Sequence, residues 1–120
     1  MHEEMMVEVN IHVDQKTVTL RLNGSFTYSA YLTFKEAIQR VLLSHDTHEV
    51  HIDFSNVDYV DSAALGMLSF FNKHAQHLKI HLCNCKGLVK AVLAMALQDQ
   101  EFRGIQLQES IACSPLTLIS

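Results

Sequence analysis

Residues 54–77, FSNVDYVDSAALGMLSFFNKHAQH, opening straight after the run EVHID, constrain the fold more than any other stretch of this chain. The run EVHID alternates apolar and polar residues, as a half-buried strand does, and from Ser62 onward the apolar residues recur at helical spacing. The polar stretch between them, Ser55 to Asp61, reads as a short loop at the strand's carboxyl end. A strand thus delivers the chain almost directly into a helix that starts at a serine. The first backbone N–H groups of a helix have no partners within it, and the summed peptide dipoles make that end partly positive. Ser62 is therefore a good N-cap by residue type. It is also a hydroxyl where an added phosphate would be electrostatically tolerated.

The stripes of this helix indicate what it touches. Ala64, Leu68, Phe71 and Ala75 share one face and should pack on the sheet, with Leu65 and Asn72 beside them. Ala63, Met67, Phe70 and His74 repeat the same spacing one position earlier. A second apolar stripe needs either a neighbouring helix or a binding partner to cover it, and Met67 and Phe70 fit both readings. Gly66 costs the helix about 1 kcal/mol relative to alanine, so it is expected to mark a close approach by another chain segment.

The rest of the chain supplies the layers around this unit. Val7, Val9, Ile11 and Val13, then Val18, Leu20 and Leu22, alternate on either side of Asp14-Gln15-Lys16 and read as two antiparallel strands. Asn23-Gly24 is expected to stop the second strand. Ser29 can cap a helix that buries Ala30, Phe34, Ala37, Ile38 and Val41 or Leu42 and ends near Ser44-His45-Asp46. Val50, Ile52 and Phe54 form the third strand, and Leu78, Ile80 and Leu82 the fourth. Residues 86–97 carry Leu88, Val89, Val92, Leu93, Ala96 and Leu97 at helical spacing, and Gly104 precedes a short last strand at Ile105 and Leu107. The order β-β-α-β-α-β-α-β implies an α/β domain with a mixed sheet of four or five strands and its helices mainly on one face. Residues 1–108 form this domain. Residues 109–120, with the only proline and no clear period, read as a tail, partly disordered or folded back.

Composition narrows the function. At 120 residues the chain is one domain with room for a core. A net charge of −4, with no Lys/Arg cluster to offset it, argues against nucleic-acid binding. The start, MHEEMMVEVN, is acidic where a secretory signal would be basic, and no apolar run is long enough to span a bilayer. A cytoplasmic protein without direct membrane insertion is expected. Three cysteines make no disulfide framework, which fits a reducing compartment.

The run Val57–Leu68, VDYVDSAALGML, resembles the STAS-domain proteins of the bacterial anti-sigma factor antagonist family. Support comes from LRLNG at residues 20–24 and IHLCNC at residues 80–85, and the likeness extends over most of residues 7–108. The resemblance implies a regulatory protein without enzymatic activity or cofactor. Its partners would be an anti-sigma factor and/or serine kinase and a PP2C-type phosphatase. It makes Ser62 the phosphorylated serine and places Tyr28, Asp61, Ser62, Ala63, Gly66, Met67 and Phe70 on the partner-binding surface. The unphosphorylated antagonist would sequester the anti-sigma factor or a related regulator, and phosphorylation beside Asp61, Asp58 and Asp53 would release it. A stand-alone STAS subunit docked on a membrane transporter ATPase, without a phosphoswitch, is the alternative. Two departures qualify the likeness. Ala63 and Ala64 stand where many members have a second Ser or Thr and then Gly, and residues 24–28 lack the acidic residue common in that loop.

Other chemistry is weakly represented. His45, His48 and His51, the pair His74 and His77, and Cys83 with Cys85 lack the usual C-x-x-C turn of a zinc site and read as scattered surface histidines with a small core thiol. The flanks Val60 and Ala64 of Ser62 do not match the G-x-S-x-G elbow of a hydrolase nucleophile. No phosphate-cradling loop occurs either.

Overall fold

The alternating runs pair into a five-stranded sheet, in a computed structural model that describes residues 5–12, 16–44 and 46–108, with the side chains of residues 9–12 outside that description. Strand β1 (Met6–His12) runs antiparallel to β2 (Thr17–Phe26). Strands β3 (Glu49–Val60), β4 (Lys79–Cys83) and β5 (Ile105–Gln108) continue the sheet in parallel, in chain order. Helices α1 (Tyr31–Leu43), α2 (Ser62–His74) and α3 (Gly87–Ala96) make the three crossovers. A strand order that never reverses, with crossovers of one hand, places all three on one face. The expectations for Val13, for His45 and for residues 109–120 lie outside the described residues.

Packing follows the two periods seen in the sequence. Val18, Leu20 and Leu22 of β2, Val50, Ile52 and Phe54 of β3, and Ile80 and Leu82 of β4 are fully enclosed and point to the helices. From α1 come Phe34, Ala37, Ile38 and Val41, and from α2 come Ala64, Leu68 and Phe71, with Ala75 just beyond its end. Helix α3 adds Val89 and Leu93, whereas Leu88, expected in its stripe, is 72% exposed. Four buried rings tie the centre: Phe26 lies 4.9 Å from Phe34 and 6.0 Å from Phe54, and Phe34 meets Phe71 edge-on.

Three local expectations change. Asn23-Gly24 does not stop β2: Gly24 takes φ of +113°, open mainly to glycine, and the strand continues to Phe26 through shifts in register. Residues 55–60 are not a loop but the far half of β3. They run beyond the end of β4 and pair with β2 alone, so Ser55, Asn56 and Asp58 are solvated while Val57 and Val60 are buried. Ser29 does not cap α1; it sits inside a 3₁₀ turn, Tyr28–Ala30, that leads into the helix.

Candidate functional site

Both extended strands, β2 and β3, end at one corner of the domain, and each feeds a helix there. The link between them is one carboxylate. Asp61, rather than Ser62, is the N-cap of α2: its Oδ1 accepts the Ala64 N–H at 2.9 Å and its Oδ2 accepts the Tyr28 N–H at 3.1 Å. The Asp61 N–H in turn donates to the Phe26 carbonyl at 3.2 Å. Both residues suit a cap by type, but a carboxylate can accept from two segments at once. Ser62 becomes the first helical residue, exposed at the partly positive end of α2.

Beside this corner, α1 and α2 part to leave an open groove of about 610 Å³. Ala63, Gly66, Met67 and Phe70 line it from α2, and Tyr28 borders it from the turn before α1. Five of the seven residues expected on a partner surface therefore meet in one depression. Asp61 and Ser62 adjoin it at Ala63. Met67 is partly buried against the core, so the neighbouring helix covers it in part, whereas Phe70 is 59% exposed and stacks on His74 at 4.0 Å. Sequence reasoning missed the opposite wall: Tyr31, Lys35 and Leu42 from α1, with Lys35 Nζ 5.5 Å from the centre of the Tyr31 ring. Their spacing with Ile38 was the available signal, a stripe on α1 offset from its core face. Tyr28 is 74% exposed, and an open apolar groove edged by aromatic rings is suited to a protein partner.

Gly66 does not mark a close approach within this chain. A Cβ built there would meet nothing within 4 Å, so the residue opens onto the groove. Asp53 is likewise not beside Ser62. It lies seven residues before Val60 on β3, about 23 Å away at strand rise, and is buried. Burial opposes its ionisation. Hydrogen bonds from Asn84 Nδ2 and the Ser55 N–H, each at 2.9 Å, and the Arg21 guanidinium at 3.4 Å overcome that and hold its carboxyl below the usual range. Asp58 remains near the corner, accepting from Ser25 Oγ at 3.2 Å.

The histidines are not all scattered. His48, His74 and His77 are exposed, but His51 and His81 face each other across β3 and β4 with ring centres 5.0 Å apart. Burial, and then the neighbouring His51, push the proton affinity of His81 down. Cys83 is disulfide-bonded, a departure from the expected core thiol. Cys85 is the free cysteine among the described residues, and burial raises its pKa to about 12.

This arrangement, a mixed sheet whose third strand feeds a capped helix beside an exposed serine, defines a class that comparison with known proteins identifies. The STAS domain family pattern matches residues 8–112, and the chain belongs to that family. It is 34% identical over 92 residues to a STAS-domain containing protein of Pseudomonas aeruginosa, covering 75% of this chain and 89% of that one. An anti-sigma factor antagonist from Mycobacterium paratuberculosis has a similar fold, with a TM-score of 0.75 at 14% identity over 98% of this chain and 96% of that one. The Bacillus cell fate determinant SpoIIAA in its phosphorylated form superposes with a TM-score of 0.64 at 14% identity, over 95% and 99% of the two chains. No described helix is long and apolar enough to cross a membrane.

Proposed function

We propose that this chain is an anti-sigma factor antagonist: a cytoplasmic, non-enzymatic binding protein whose groove between α1 and α2 holds a regulatory partner until Ser62 is phosphorylated. The observation that carries the reading is the Asp61 carboxylate, which joins the start of α2 to the turn at Tyr28 and leaves the adjacent Ser62 hydroxyl exposed at the groove's edge. A phosphate on Ser62 adds about −1.5 to −2 charge. The free helix N–H groups accommodate that charge in the isolated domain. A docked partner has to desolvate it beside Asp61, which is costly. The same modification thus leaves the fold standing and drives the partner off. Structural neighbours named as anti-sigma factor antagonists support the reading at the level of fold.

The partners are an anti-sigma factor and/or serine kinase, with a PP2C-type phosphatase restoring the binding form. Cross-linked co-purification of the wild type beside Phe70→Glu tests this. An anti-sigma factor or kinase recovered with the wild type and lost with the variant agrees with it. Recovery of a transporter ATPase instead would transfer the chain to a docking role without a switch.

A further inference from the structure

We propose that Glu49, His51 and His81 form a binding site for a late first-row divalent cation, with zinc the expected ion, on the sheet face opposite the helices. The backbone places the donors without help from any loop. Glu49 and His51 are two apart on β3 and so share a face, the one away from Val50 and Ile52. His81 of β4 stands beside His51 in parallel register. One ligand atom from each of the three residues lies within 4.8 Å of the others. Tetrahedral zinc with bonds of about 2.0–2.1 Å sets its ligand atoms about 3.3 Å apart. His51 Nε2 and Glu49 Oε1 already stand at 3.3 Å.

A second observation comes from His81 itself. Its Nδ1 is buried without a hydrogen-bond partner, an arrangement that costs stability unless the nitrogen finds one. All three residues are half-buried, and the His51 side chain is the more enclosed of the pair on β3. Two imidazoles and a carboxylate suit zinc, whereas magnesium and calcium prefer oxygen ligands alone. Three protein ligands also leave a fourth position for water or a further donor. The ion would clip β3 to β4, away from the groove, so this inference stands apart from the proposed function.

The test is calorimetric titration of the chain, free of any polyhistidine tag, with zinc chloride and in parallel with magnesium chloride. One zinc per chain is expected, with little response to magnesium. Imidazole proton–nitrogen correlations of His51 and His81 should move while those of His74 and His77 stay in place. His51→Gln and Glu49→Gln, at half-buried positions, should each weaken zinc binding by at least about tenfold while keeping the zinc-free unfolding midpoint, since even outer-shell changes at metal sites cost about that much. No saturable zinc binding would overturn the proposal. So would equal binding of magnesium, binding undiminished in both variants, or movement of His74 and His77 instead.

Discussion

Replacing Asp61 by alanine removes two hydrogen bonds that converge on one carboxylate. Loss of an N-cap costs about 1 kcal/mol. The bond from the Tyr28 N–H to the carboxylate adds roughly another 1 kcal/mol, less than the roughly 1.5–3 kcal/mol of enclosed bonds to charged groups because Tyr28 is exposed. A domain of this size unfolds with an entropy of about 0.25 kcal/mol per kelvin, so Asp61→Ala should lower the midpoint by about 8 °C. Asp61→Asn keeps a capping oxygen and should lose less than half of that. Ser62→Ala exchanges an exposed first-turn residue that is not the cap and should stay within about 2 °C of wild type. Thermal unfolding followed by circular dichroism, together with urea titration, reads all three. A Ser62→Ala loss as large as that of Asp61→Ala would refute the assignment of the cap and, with it, the claim that Ser62 is free for modification.

Three further outcomes follow from the groove and its surroundings. Phe70→Glu should weaken partner binding more than tenfold in a calorimetric titration yet shift the midpoint by no more than about 2 °C, because Phe70 is mostly exposed. Gly66→Ala meets no atom within 4 Å, so it should raise the midpoint by up to about 4 °C through helix propensity while narrowing the groove and reducing affinity; a drop in stability would mean the groove is closed in solution. Cys85, with its pKa raised to about 12 from an ordinary 9.0, should carry about a thousandfold less thiolate at pH 8, so its alkylation by iodoacetamide, mapped by mass spectrometry, should be correspondingly slow and still rising at pH 10.

Much of the fold was legible because the central strands and the helices packed on them bury one face. Val50, Ile52 and Phe54, and Ala64, Leu68, Phe71 and Ala75, follow the ideal periods, and each is enclosed. Legibility failed where a residue's environment depends on a distant segment. The far half of β3 looked like a loop because it pairs on one side only and its register shifts break the alternation. Ser62 was read as the cap, and Asp61 holds that place because Tyr28, thirty-three residues earlier, supplies a second donor for its carboxylate. The same reason hid the α1 wall of the groove and the meeting of His51 with His81, which only the β3–β4 register brings together. The second apolar stripe of α2 was readable, but whether Gly66 faced protein or open space was not.

On the proposed reading, phosphate at Ser62 switches binding without disturbing the fold. The most direct measurement treats the protein with its cognate kinase and ATP, maps the modified residue by mass spectrometry, and compares partner affinity and unfolding midpoint before and after. The expected result is phosphate on Ser62, a midpoint within a few degrees of the unmodified protein, and affinity lower by about a hundredfold or more, since like charges forced together in an interface cost several kcal/mol. Ser62→Ala should bind in both conditions. Phosphate at another residue, or equal affinity in the two states, would contradict it.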